Sequence, residues 1–367
     1  MIFPRRQIEE SFLIMSKRTR VFRVDPKAPE AEAIAIAGRM IRAGGLVAFP
    51  TETVYGLGAN ALDETAVAKI FAAKGRPSSD PLIVHIARFE QLSRVAQAIP
   101  AGAVELGRQF WPGPLTLVLQ KAPCIPANLT AGLNTVAVRM PDHEVALALL
   151  QAADLPIAAP SANQFSRPSP TSAQHVIDDL ADRVEVVLDG GNTPIGLEST
   201  IVSLVEDEPR VLRPGGISLE TLREALPNLR YEPSYLADDA PSAPAPGTML
   251  RHYSPRARVI LFSGADAAEV YAAMRAEINS HERVGILASD ADAREFAGLD
   301  VAIERLGADA DEAAHHLFAA LRSLDQQGVD CILARAPERR GLGLALWDRL
   351  LRASVGSLVE VGTAPSD

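Results

Sequence analysis

Residues 46–61 read LVAFPTETVYGLGANA, an apolar run that breaks at Pro50 into the polar turn Thr51-Glu52-Thr53. The run LVAFP is a short buried strand by its pattern. Asp63 then caps a helix over ETAVAKIFAAK, with Gly75 at its end and Pro77 forbidding continuation. Strand, polar turn and capped helix form the working unit of an α/β domain. Gly56-Leu-Gly58-Ala-Asn-Ala61 imitates a dinucleotide fingerprint. Thr51 to Tyr55 separate it from the strand, however, and the fingerprint needs a tight strand-to-helix turn. A glycine-rich turn is the expectation.

Further strands are expected at PLIVHIA (81–87), LTLVLQ (115–120), TVAVRM (135–140), LPIAA (155–159), VEVVLD (184–189) and STIVSLV (199–205). A helix near 102–110 stops at Trp111-Pro-Gly-Pro114. Another is expected over 170–182, with Ser169 as cap and Pro170 at its first position. These signals place an α/β domain over residues 23–226, after a loose basic arm over 1–22. Residues 227–255 change character: the stretch 231–255 carries five prolines and no period, so it reads as a linker. Its tyrosines and Met249 suggest an ordered strap more than a flexible tether. From 256 to 367, strands ARVILF, RVGILA, DVAIER and VDCILA alternate with helices over 266–279, 309–327 and 343–354. That rhythm signals a small parallel three-layer domain.

The chain has 367 residues and a formal charge of -10, which disfavours a surface that grips nucleic acid throughout. Two cysteines, Cys124 and Cys331, exclude a disulfide framework or a cysteine-rich zinc site. No apolar run reaches the roughly 18 residues of a membrane span, and the N-terminus has no signal-peptide stretch, so a cytoplasmic location is expected. The sequence holds neither a P-loop nor a G-x-S-x-G elbow. His315-His316 reads as a solvated pair. There are five lysines against 31 arginines, so a lysine inside a turn motif stands out.

Short polar motifs remain, clustered at strand ends: PTETVYG (50–56), KGRP (74–77) with Asp80, His85, Thr135 with Arg139, PSAN (160–163), SPT (169–171), Ser199-Thr200 and RPGG (213–216). Open α/β sheets bind ligands where such loops converge. Lys74, Arg76, Arg139 and Arg213 beside strand termini of an acidic chain suggest an anionic ligand. Singly, each has a bland reading: a helix C-terminus, a turn, a surface arginine, a core histidine. Their order and spacing together favour a site.

PTETVYGLG, KGRPSSDPLIVHI, VAVRMPDH, PSAN with SPT, LEST and VLRPGGIS resemble, as a series, the threonylcarbamoyl-AMP synthase family. APGTMLRHYSP and GLGLALWDRLLRA are similar to that family's two-domain form. The resemblance implies a YrdC-type twisted mixed-sheet N-terminal domain and a smaller Rossmann-like parallel three-layer C-terminal domain. It implies an enzyme that combines L-threonine, bicarbonate and ATP, with downstream tRNA threonylcarbamoyl-transfer proteins as partners, tRNA itself not tightly held, and no membrane. Thr53, His85, Arg139, Ser161 and Ser199 would contact threonine. Arg76, Asp80, Thr135, Asn163, Thr171, Arg213 and Tyr253 would contact ATP, joined by Lys74, with Lys74 and Arg76 as the catalytic cations. Mg²⁺ would arrive with ATP, its protein ligands unread. No activated side-chain nucleophile is required. A non-catalytic RNA-binding or ribosome-associated module is the competing reading, disfavoured by the overall charge and the lack of an aromatic strip.

Two positions depart from the family pattern. Asp80 stands where asparagine is usual, and a carboxylate near phosphates repels unless a cation intervenes. It is expected to help hold Mg²⁺ or to weaken ATP binding. Ser166 stands where glycine is usual, and costs strain if that backbone needs positive φ.

Overall fold

Asp63 accepts from the N–H groups of Thr65 and Ala66, and Gly75 ends the following helix at φ 65°, so cap and stop act as their residue types dictate. The structure, a computed structural model, describes residues 19–236 and 242–362. Its first domain begins β1 (Arg20–Arg23), α1 (Ala31–Arg42), β2 (Val47–Phe49), β3 (Gly56–Asn60), α2 (Glu64–Lys74) and β4 (Ile83–His85). It continues α3 (Leu92–Val95), β5 (Ala96–Gln97), α4 (Ala101–Phe110), β6 (Leu115–Lys121), β7 (Thr135–Arg139) and α5 (Glu144–Ala153). It closes with β8 (Ile157–Ala158), α6 (Ala173–Leu180), β9 (Val186–Asp189), β10 (Thr200–Ser203), β11 (Arg210–Arg213), α7 (Leu219–Ala225) and β12 (Arg230–Tyr231).

These strands form one mixed sheet in the order β1-β9-β2-β3-β8-β4-β7-β6-β10-β11-β12, with β5 beside β6. β4 and β7 run parallel with His85 opposite Arg139, while β6 and β7 run antiparallel with Thr116 opposite Arg139. Three polar residues thus meet at one sheet position by register alone.

The second domain runs β13 (Arg258–Gly264), α8 (Ala267–Ile278), β14 (Val284–Ala288), β15 (Ala302–Arg305), α9 (Ala310–Gln326), β16 (Cys331–Arg335), α10 (Leu342–Ala353) and β17 (Leu358–Val361). Its sheet, β15-β14-β16-β13-β17, is wholly parallel. α8 packs on one face with Val270 and Met274. α9 and α10 pack on the other, in a core that also takes in Val54, Leu197 and Tyr253. The two domains therefore share an apolar layer.

Several expectations are corrected. Residues 56–60 form a strand and not a turn. A Cβ at Gly58 would come within 2.8 Å of the Phe49 ring and 2.9 Å of the Ile157 side chain, so the glycine permits close strand packing. The helix expected over 170–182 spans Ala173–Leu180 and is capped by Ser172, because Pro170 O is taken by the Tyr55 N–H at 2.8 Å. Of the basic arm, Arg20–Phe22 belong to β1, paired with β9, and residues 1–18 lie outside the described residues. Within the expected linker, Arg230–Tyr231 extend the sheet as β12. His315 is not solvated alone: its Nδ1 lies 2.9 Å from Pro194 O of the first domain.

Candidate active site

The loop after β2 is organised by one hydroxyl. Thr51 Oγ1 donates to Val54 O at 2.7 Å and accepts from the N–H groups of Thr53 and Val54 at 3.2 Å each, which turns Thr53 into the interior. The Leu57 N–H donates to Pro160 O at 2.8 Å and Gly56 bridges Ser161, drawing the 160–163 turn against this loop. Ser199, at the entry to β10, places its Oγ 2.7 Å from Thr116 Oγ1. Arg213, ending β11, donates through Nη2 to Ser199 O at 2.9 Å and through Nη1 to Pro246 O at 3.1 Å.

One cavity joins these groups. Thr51, Thr53, Val54, Arg76, Ile83, His85, Arg139, Ala159, Ser161, Glu198, Ser199 and Arg213 line it, together with Pro246, Gly247, His252 and Tyr253 of the strap. Arg139 Nη2 lies 2.7 Å from Glu52 Oε1, and Arg76 Nη2 lies 2.9 Å from Asp80 Oδ1. Among the described residues, His85 Nδ1, Arg139 Nε, His252 Nδ1 and the Tyr253 hydroxyl are buried without a hydrogen-bond partner. Orphaned buried polar atoms are rare in folded proteins, and four of them border a single cavity.

Electrostatics point the same way. Burial lowers the pKa of Lys74, Arg76 and Arg213, with Arg76 depressing Lys74 further. Burial and the Arg139 charge push His85 down to about 3, so its imidazole is neutral at physiological pH. His252 is lowered well below its usual value by burial, then by Arg76 and Arg352. Cations whose charge is disfavoured by burial are stabilised by an incoming anion.

The cavity gathers Thr53, Arg76, His85, Arg139, Ser161, Ser199, Arg213 and Tyr253. Lys74 is not on its wall. Its Nζ donates to Ser161 O and Asn163 O at 2.6 Å each, so it pins the turn from behind. Asn163 is used in that same turn, its Nδ2 donating to Gln164 O and Arg167 O. Thr171 faces His175, with Oγ1 3.4 Å from Nδ1. Asp80 is fully buried against Arg76; burial raises its carboxyl pKa while Arg76, Lys74 and Arg213 pull it back. Thr135 sits at the opposite end of β7 from Arg139, roughly 13 Å along the strand, and borders a separate polar depression with Gln97, Gln120 and Asn134.

Asp80 is ion-paired with Arg76 and is not among the residues lining the cavity. Glu198, the cavity's one lining carboxylate, is also taken: Oε2 accepts from Arg349 Nε at 2.7 Å and Oε1 from Ser169 Oγ. No group of three His, Cys, Asp or Glu among the described residues could hold a metal ion. Ser166 does have φ 65°, and its carbonyl accepts from the Ser254 N–H at 2.7 Å, so the strained serine anchors the strap. Glu52, Thr116, Glu198 and Arg349 escaped the sequence reading as individual residues. Three of these four lie inside or beside motifs quoted above; Thr116 had no signal beyond an alternating strand.

A family model described as "Telomere recombination" matches residues 39–215, and one described as "Threonylcarbamoyl-AMP synthase, C-terminal domain" matches residues 217–355. A Pyrococcus abyssi threonylcarbamoyl-AMP synthase is 49% identical over 335 residues, covering 89% of this chain and 96% of the relative. A Bacillus subtilis protein of the same name is 42% identical over 348 residues, covering 94% and 99%. The crystal structure of P. abyssi Sua5 complexed with L-threonine matches with TM-score 0.87 at 46% identity, over 93% of this chain and 99% of that one.

Proposed function

The chain belongs to the threonylcarbamoyl-AMP synthase family, and on that premise we propose a nucleotidyltransferase that makes threonylcarbamoyl-AMP and pyrophosphate from L-threonine, bicarbonate and ATP. The adenylate would serve N6-threonylcarbamoyladenosine formation on tRNA, through separate transfer proteins. One observation carries the reading: a single cavity is lined both by Thr53, His85, Arg139 and Ser199, which suit an amino acid, and by Arg76, Arg213 and Tyr253, which suit an anion.

Arg139 suits the threonine carboxylate, since a guanidinium grips carboxylates at two points. Val54, Ile83 and Ala159 supply an apolar wall for the threonine methyl group. Neutral His85 can exchange a hydrogen bond with the hydroxyl or amine. The threonine amine adds to bicarbonate and water leaves, giving a carbamate. A carbamate oxygen then attacks the α-phosphorus, the bond to the bridging oxygen breaks, and pyrophosphate departs with that electron pair. Attack and departure both involve anions, so in-line placement and neutralisation by Arg76 and Arg213 dominate. Lys74 contributes by holding the Ser161 turn. Magnesium enters as part of the MgATP substrate, and no protein ligand is assigned to it.

The strap acts as a lid in this reading. Pro246, Gly247, His252 and Tyr253 of the strap form one side of the cavity. Residues 242–255 would move aside to admit ATP and threonine and return to shield the mixed anhydride from water. The test is pyrophosphate release from ATP that requires both threonine and bicarbonate. Serine should support it at least about tenfold less well, since one methyl group contributes roughly 1–3 kcal/mol in a fitted pocket. Release indifferent to threonine would refute the assignment.

A further inference from the structure

We propose that Arg349, on α10 of the second domain, is a positioning residue for the nucleotide end of the cavity, so that the C-terminal domain is a working part of the site. This rests on the function proposed above. Arg349 is fully buried. Its Nε donates to Glu198 Oε2 at 2.7 Å and its Nη1 to Asp348 Oδ2 at 2.6 Å. Its guanidinium carbon lies 5.0 Å from the centroid of the Tyr253 ring, whose other neighbours include Phe318 of α9 at 5.3 Å.

Both things it holds belong to the cavity. Glu198 lines the wall and adjoins Ser199, the residue whose carbonyl fixes Arg213. Tyr253 has φ 61°, a left-handed conformation that a bulky side chain does not adopt unless its surroundings impose it. Arg349 and Phe318, both from the second domain, supply that imposition. The Tyr253 hydroxyl, left without a partner, borders the same spot as Arg213: a Cβ on Gly247 would stand 2.6 Å from the hydroxyl and 2.9 Å from Arg213 Nη1.

The network extends to the strap's far end. Asp348 Oδ1 accepts from Arg352 Nε at 3.0 Å, and Arg352 donates to Met249 O at 2.6 Å and Ser234 O at 3.2 Å. One helix of the second domain therefore fixes the strap on both sides of Gly247. Of the residues assigned to threonine, the network adjoins Ser199 alone, through its neighbour Glu198, and among the described residues Arg349, Asp348 and Arg352 make no hydrogen bond to Thr53, His85 or Arg139.

The effect should consequently split by substrate. Dissociation constants for ATP and for L-threonine, measured separately by calorimetry on the full chain, test it. Arg349→Met should weaken ATP about tenfold or more and threonine less than about twofold; Arg349→Lys, which retains the Glu198 pairing, should restore part of the loss. Equal weakening of both ligands, or no change in a folded variant, overturns the proposal. Should Arg349→Met fail to fold, Glu198→Gln decides: an ATP-selective loss of about threefold supports the inference and an unchanged ATP constant overturns it. Wild-type protein that binds ATP but shows no threonine-dependent turnover would count against the proposed function, not against this role.

Discussion

Arg139 ends β7 with Nη2 on Glu52 and a bare Nε, beside a neutral His85 held in register on β4. Hydrogen bonds to charged groups contribute roughly 1.5–3 kcal/mol each. Arg139→Ala should therefore weaken threonine binding between about tenfold and a hundredfold while leaving ATP binding nearly unchanged, as read by calorimetry. Lys74 behaves differently, because its two short bonds go to backbone carbonyls. Lys74→Met leaves both carbonyls unsatisfied and should cost about 3 kcal/mol of stability, seen as a lower urea midpoint. His85 gives a pH signature. Its folded pKa of about 3 lies below the ordinary 6.5, so between those values the unfolded chain binds more protons. Its contribution is complete above pH 6.5 and is lost as pH falls, at roughly 1.4 kcal/mol per unit. His85→Gln should shrink the stability difference between pH 7 and pH 5 by about 2 kcal/mol, and an unaltered pH profile would refute the burial argument. Arg76, Arg139 and Arg213 stood out by the order and spacing of their motifs taken together, and the structure brings all three to one cavity. Lys74 stands behind the wall, donating to Ser161 O and Asn163 O, and sequence alone does not tell such a cation from one that faces the cavity.

At the level of elements, cap chemistry read correctly at α2, whereas α6 began three residues later than its Ser-Pro signal implied, because Pro170 O is engaged by the loop after β2. A long-range backbone bond of that kind leaves no trace in local sequence. The strap is where element-scale predictions belong. Gly247 has φ 74° and abuts both Tyr253 and Arg213, so Gly247→Ala should displace the strap and raise the KM for ATP at least about tenfold in the pyrophosphate assay. Ser166→Gly relieves a left-handed serine and should raise stability by about 0.5–1 kcal/mol in urea unfolding, with activity retained. Loss of stability there would mean the Ser166 side chain matters more than its backbone angle.

Across the whole molecule, the two sheets are tied through buried and partly buried polar contacts as well as apolar ones. Arg322 of α9 reaches Asp179 at 2.7 Å, Arg167 reaches Asp325 at 2.5 Å, and Arg349 reaches Glu198 at 2.7 Å. Alternating strands and helices announced a parallel second domain, but its role was illegible, since partners 150 residues apart share no local pattern. Domains so coupled should unfold together, and calorimetry should record one transition; two well-separated transitions would contradict the shared core. No helix among the described residues is long and apolar enough to cross a membrane. The most direct measurement uses isotopically labelled bicarbonate with ATP and L-threonine. The label should enter an adenylate only when both are present, with pyrophosphate released in equal amount, and Arg76→Ala should suppress it. Label captured without threonine, or ATP cleaved to ADP and phosphate, would contradict the account.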